Sequence, residues 1–455
     1  MDIEELRLRV GSHMPQALRD LSRLVAIPSM GYPGYDPANV RASAQATAEI
    51  LRAAGVPDAR LLELANGHPA VVGAIRGDPD GPTVLLYAHH DVQPEGDATA
   101  WRTPPFEPSV RDGRLFGRGA ADDKSGIVVH ATALRALGAH EGRSLPATVK
   151  ILVEGEEECT TANLSELVVD HADLLRADIA IIADGGNYRT GVPTIETSVR
   201  GIVDCVVTVS IMPIAQHSGT YGGPIPDAIT ALVRILASLH DDEGNVAVAG
   251  LRAFEWGGMQ VPEYELREDS RVFDEVRMIG SGSLADRLLS KPAISVLGVD
   301  APPIRGSSNQ LVPMASARVS LRLAPSDDPV AGRDALVTHL HQAAPWGVRV
   351  EVDPGEAGHG YMVDTAAPAY TAAKAALREA FEHEVLEMGS GGSVPLVATL
   401  AETFPGISIL IWGAGDHLSN WHSVDESVDL DEVGRLSVAE ALFIHRVCEV
   451  GRRDV

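Results

Sequence analysis

Cysteine is scarce. Cys159, Cys205 and Cys448 are the only three in 455 residues, widely spaced and without a CxxC pair. That pattern excludes a disulfide framework and a thiolate zinc site, and a reducing compartment fits it best. Basic residues are also few: 37 Lys and Arg against 63 Asp and Glu give a net charge of -26. Such a field repels phosphate backbones and anionic lipid heads, so neither nucleic acid nor a membrane surface is expected as a partner. No apolar run approaches the roughly 18 residues that span a bilayer. The opening MDIEELRLRV is acidic and amphipathic, where an export signal would be basic and then apolar. The expected setting is cytoplasmic. Fixed-period repeats and low-complexity tracts are missing as well. What is present is an apolar fraction of 45%, enough to fill a core in each of two or three domains of roughly 150 residues.

Apolar spacing predicts two leading helices, through ALRDLSRLVAI and VRASAQATAEILRAAGV, the second stopped by Gly55. The runs PAVVGAI, TVLLYAH, ATVKILVEG and ADIAIIAD then read as buried strands alternating with helical stretches such as SGIVVHATALRALGAH. This alternation is the mark of an α/β layer, and open α/β sheets place their sites at strand carboxyl ends. After Gly201 the texture changes to VDCVVTVSIM, a helical PDAITALVRILASLH, an irregular Pro and Gly stretch, and the alternating ARVSLRLAP. The first texture resumes near Val363, with ISILIWGAG as a further buried strand and a closing helix through DEVGRLSVAEALFIHRV. The expected fold is α/β: a discontinuous catalytic domain with a central mixed sheet flanked by helices (residues 1–200 and 363–455), plus an inserted α+β lid and dimerisation domain (201–362).

Five segments near strand ends carry the polar chemistry. In TVLLYAHHDVQP, strand alternation puts His89 and Asp91 on one side and His90 on the other. His89 can then bind a metal while Asp91 holds its second ring nitrogen. In LFGRGAADDKSG the glycines allow tight turns that press Asp122 into a crowded site, where its two oxygens can bridge two cations. ATVKILVEGEEECTT ends a buried strand in four glutamates among five positions, a poor terminus unless positive charge compensates it. ADIAIIADGGN places Asp184 at another strand end, and ILIWGAGDHLSNWHSVDESV offers His417 and His422, either of which can be a ligand. Each segment alone is equally at home on an ordinary polar surface. Together they form a nitrogen and oxygen donor set without sulfur, suited to zinc, cobalt or manganese.

YAHHDVQP, GRGAADDKSG, EGEEECTT, AIIADGGN, QHSGTYGG, SLRLAP, GGSVP and WHSVDE occur in this order across nearly the whole chain. In that order and spacing the sequence resembles the dinuclear zinc peptidase family that includes carnosinase, cytosolic nonspecific dipeptidase, succinyl-diaminopimelate desuccinylase and acetylornithine deacetylase. The resemblance implies that His89, Asp122 and Asp184 hold one divalent ion and that Asp122, Glu158 and His422 hold the other. Zinc is the expected metal, with manganese or cobalt as alternatives. It implies that Glu157 is the general base, that Asp91 orients the ligand histidine, and that the peptide bond between Asp122 and Asp123 is cis. His217 would be a lid histidine that reaches the partner's site in a homodimer, while Asn309 and Arg322 would bind the substrate carboxylate.

The implied reaction is hydrolysis of a small peptide, a dipeptide with a free α-carboxylate, by a hydroxide shared between the two ions. Asp rather than Glu at position 184 favours dipeptidase over deacylase chemistry within the resemblance. An N-acyl-amino-acid deacylase of the desuccinylase or deacetylase type is the alternative. The sequence departs from the family pattern at Thr160 and Thr161, where relatives usually have Gly-Ser, at Trp421, where Ala is common, and at Asp425, which replaces an Asn. Trp421 and Cys159 adjoin ligand positions and are expected to reshape the pocket.

Overall fold

The structure is a computed structural model that describes residues 2–159, 162–392 and 394–451; the departures at Thr160 and Thr161 lie outside them. The chain divides into two compact units. One comprises Met1–Thr197, Val363–Met388 and Thr399–Val455, and the other Ser198–Met362 and Gly389–Ala398.

The first unit is built on a six-stranded mixed sheet. Four parallel strands carry the site: β1 (Thr83–His89), β2 (Thr148–Glu154), β3 (Ile179–Ile182) and β4 (Ser408–Ile411). Across the sheet they run β2, β1, β3, β4, and the antiparallel strands Ala70–Ile75 and Arg60–Leu62 extend it beyond β2. The β-branched and Leu-rich runs form these strands because helices cover the sheet and both pleat faces are buried. From β1 the chain crosses to β2 on one side and then returns to β3 on the other. That reversal opens a crevice at the carboxyl ends of β1 and β3.

Helix Lys124–Ala136 follows the loop that carries Asp122 and backs β1. It packs on β1 and against helices Ile3–Val25 and Leu430–Gly451, and every one of its residues is buried. Several of its polar groups find partners, as burial demands; Thr132 Oγ1 and Arg135 Nη1 have none among the described residues. Lys124 Nζ donates to the carbonyls of Leu24 and Ile27, both at 2.8 Å; Arg135 pairs with Asp20 at 2.9 Å; His130 Nδ1 meets Glu440 at 2.8 Å.

In the second unit, strands Ala293–Asp300, Met314–Leu323, Gly201–Ser210 and Arg349–Gly358 form an antiparallel sheet in that order. Alternate residues of Gly201–Ser210 are buried, the expected pattern for a sheet with one face on a core. That core includes Val203, Val207, Leu232, Ile235, Leu336 and Leu340, the last four from helices Ala228–Ala237 and Pro329–Gln342. Arg200, buried at 3% exposure, donates to the carbonyls of Leu288, Lys291, Arg322 and Leu323. Burial pushes its pKa down to about 10.

Candidate metal centre

His89 closes β1, and Glu157 and Glu158 follow β2. Asp184 follows β3, and His422 lies in the loop after β4. Asp122 comes from the glycine-rich loop before helix Lys124–Ala136, and its bond to Asp123 is cis. Residues from five separate stretches of the first unit thus converge.

Asp122 stands between the two imidazoles. Its Oδ1 lies 3.0 Å from His89 Nε2 and its Oδ2 lies 3.0 Å from His422 Nε2. Asp184 Oδ2 is 4.0 Å from His89 Nε2, and Glu158 Oε2 is 3.4 Å from His422 Nε2. In each trio, His89–Asp122–Asp184 and Asp122–Glu158–His422, the donor atoms lie within 4.8 Å of one another. Two ligands bound at about 2.1 Å and a tetrahedral angle would sit about 3.4 Å apart. The observed spacings bracket that edge, so the residues fit an ion in each trio.

The electrostatics argue the same way. Burial and the fields of neighbouring carboxylates push Glu157 and Glu158 well above the ordinary carboxylate range and Asp184 up to about 6. Burial acts to raise Asp122 too, but hydrogen bonds from His422 and His89 outweigh it and hold Asp122 low. Burial opposes a charge on His89, yet Asp122, Asp91 and Asp184 raise its pKa well above the ordinary value. The cluster therefore gathers protons to offset its negative charge, a role a divalent cation fills better.

Supporting contacts fix the donors. Asp91 Oδ1 is 3.3 Å from His89 Nδ1, and its Oδ2 accepts from the Glu158 amide at 3.1 Å. Asp91 thus orients the histidine and ties it to the β2 loop. Gln93 Nε2 donates to Glu158 Oε2 at 2.6 Å. His90 points the other way, with its Nε2 2.9 Å from the Pro69 carbonyl, and burial pulls its pKa down to about 4. His417 is in neither trio. Trp421, half exposed, lies against two glycines: a Cβ on Gly186 would sit 2.5 Å from its ring and one on Gly415 2.3 Å away. Its indole therefore packs against the loops that follow β3 and β4. The Cys159 thiol instead lies against Gly31, where an added Cβ would come within 2.8 Å of Sγ. Asp425 holds Arg102, accepting from its amide at 2.9 Å.

The substrate-binding candidates lie in the second unit. His217 and Asn309 are neighbours: His217 pairs with Gln310 across two short strands, and the Ser218 amide donates to the Asn309 carbonyl at 3.0 Å. His217 Nδ1 accepts from the Thr220 amide at 3.2 Å, which leaves the ring proton on the outward Nε2. Arg322 lies in the strand Met314–Leu323, opposite Ile202 and Ala293.

Sequence reasoning assigned no role to Glu426, although it falls within the WHSVDE motif. It is fully buried and accepts from Arg118 at 2.6 Å and from the amides of Gly119, Ala121 and Asp122. Its acidity four residues after His422 was visible, but its partners sit some 300 residues earlier in the chain.

Nitrogen and oxygen donors gathered at one end of an α/β sheet are the arrangement of a metal site. The sequence profile of peptidase family M20/M25/M40 matches residues 85–446, and the chain belongs to that family. It is 34% identical over 388 residues to the cysteinylglycine-S-conjugate dipeptidase of Corynebacterium striatum, covering 83% of this chain and 85% of that one. Identity to the Beta-Ala-His dipeptidase of Homo sapiens is 27% over 391 residues, 82% of this chain and 76% of that one. Among solved structures, the di-peptidase Dug1p from Saccharomyces cerevisiae superposes with a TM-score of 0.87 at 21% identity, covering 98% and 99% of the two chains. Human carnosine dipeptidase 1 does so at 0.83 and 23%, covering 98% of each. No helix among the described residues is long and apolar enough to cross a membrane.

Proposed function

We propose that this protein is a dipeptidase that hydrolyses the amide bond next to a free α-carboxylate, with His89, Asp122 and Asp184 holding one divalent ion and Asp122, Glu158 and His422 a second. The observation that carries the reading is Asp122 between two histidines, with a separate carboxylate completing each trio. The named activities of the curated relatives support a dipeptide rather than an N-acyl-amino-acid substrate.

Two zinc ions, when bound, supply Lewis acidity and bring a water's pKa into the neutral range. Glu157, whose carboxyl burial and neighbouring negative charge make unusually basic, takes the proton of the attacking water and returns it to the leaving amine. Asp91 keeps His89 in one orientation. His217 donates its Nε2 proton to the oxyanion of the tetrahedral intermediate. Arg322 and Asn309 bind the substrate carboxylate, the arginine by its planar two-pronged fork.

A homodimer in the cytoplasm completes the reading. The edge strand Ala293–Asp300 supports the dimer, because Val296, Leu297 and Val299 are exposed along it and an open apolar edge invites pairing with a second copy. The test is a substrate panel on zinc-reconstituted protein. Dipeptides such as Ala-Gly, Leu-Gly and Cys-Gly are expected to turn over at least tenfold faster than N-acetyl and N-succinyl amino acids; the reverse order contradicts the proposal.

A further inference from the structure

Glu426 and Arg118 join two loops that would otherwise be independent. Oε2 of Glu426 accepts from Arg118 Nη1 at 2.6 Å and from the Gly119 amide at 3.0 Å; Oε1 accepts from the amides of Ala121 at 2.9 Å and Asp122 at 3.2 Å. The Glu426 carbonyl also accepts from the Gly117 amide at 2.9 Å. The loop from Gly117 to Asp122 is therefore a nest of inward-facing amides, the backbone shape that binds anions. It needs glycine at 119, where φ is +82° and a Cβ would come within 2.4 Å of Val92. The anion in this nest is tethered to the chain four residues beyond His422. Arg118 reinforces the link, with Nη2 donating to the carbonyl of Ser423, the residue after His422, at 3.2 Å.

The loop so tethered has an unusual backbone path. Asn420, His422 and Asp425 have φ of +54°, +57° and +56°, left-handed conformations uncommon outside glycine though least costly for Asn, Asp and His. We propose that Glu426 is a positioning residue: seated in the amide nest, it sets the spacing between Asp122 and His422 and thereby tunes metal affinity of the Asp122–Glu158–His422 trio. This rests on the reading of both trios as metal ligands. A carboxylate that only stabilised the fold would lower the melting temperature without acting through His422.

A double-mutant cycle on metal binding separates the two roles. Zinc affinity is measured by chelator competition on metal-stripped full-length protein for the wild type, Glu426→Gln, His422→Ala and the double variant. Gln keeps the shape but puts an NH2 against amide donors and loses the charge facing Arg118. Glu426→Gln is expected to weaken one of two zinc ions by about 10–100-fold. In the His422→Ala background the same change is expected to shift affinity less than about threefold, because its route of action is gone. Equal losses in both backgrounds, or a lower melting temperature with unchanged affinity, overturn the proposal. If Glu426→Gln does not fold, Arg118→Lys replaces it in the same cycle, since lysine keeps the charge but loses the second prong to Ser423. A wild type that binds no zinc refutes the ligand reading itself and is thereby distinguished from failure of this inference.

Discussion

His89 and His90 are adjacent, equally buried and chemically opposite. His89 faces three carboxylates and is held basic, whereas His90 meets only a backbone carbonyl and is held neutral. The alternation of a strand separates the two roles, so this distinction was legible in the sequence. Glu157 stands apart from its neighbour by geometry: Glu158 meets His422 at 3.4 Å, while Glu157 is in neither trio, and burial raises the carboxyl pKa of both. Glu157→Gln is expected to leave metal content unchanged while kcat falls by about 10²–10⁴-fold. Elemental analysis beside a dipeptide assay checks this, and a metal-loaded variant with near-normal kcat contradicts the assigned base. Glu426 and Gln93 were not legible, because their value lies in contacts with loops distant in sequence.

At the scale of the element, apolar periodicity identified the strands β1 to β4 and the leading and closing helices because each buries a continuous face. It gave no sign of the strand Ala293–Asp300, nearly all of whose residues are exposed; an edge strand open on both faces has no alternation to read. Helix Lys124–Ala136 carried the further signal of polar residues in an apolar run, and the structure shows what they hold. His130 donates to Glu440 on the closing helix and to the Tyr87 carbonyl of β1. Burial opposes its protonation, but Glu440 and that carbonyl more than offset this, so its pKa is raised. The sign follows: the stability this pair contributes is fully present below the unfolded-state value of about 6.5 and is lost as pH rises through the higher folded-state value. His130→Gln is expected to cost roughly 3–5 kcal/mol at pH 6. Thermal unfolding across pH should show the gap to wild type narrowing on the alkaline side. A gap independent of pH contradicts a charged His130.

At the scale of the whole molecule, the change of texture after Gly201 and its reversal near Val363 made an inserted unit legible. The short stretch Gly389–Ala398, which groups with the second unit, was not, because a glycine turn carries no periodicity to assign it. With the proposed substrate groups on the second unit and the proposed metal donors on the first, a dimer is functionally testable. If His217 serves the partner's site, co-refolded mixtures of His217→Ala and Glu157→Gln chains should regain up to about a quarter of wild-type activity, since hybrids are half the dimers and each holds one complete site. Isolated hybrids with no activity above the parents would place His217 in its own subunit's chemistry or outside it.

Convergence of five donors on a pair of cations is the claim beneath all of this, and counting bound metal tests it most directly. Elemental analysis of stripped, zinc-reconstituted and dialysed protein is expected to give two ions per chain for the wild type and a loss at both positions for Asp122→Ala, the residue common to the two trios. A wild type that retains no zinc, or an Asp122→Ala variant that still retains two ions, would contradict the account.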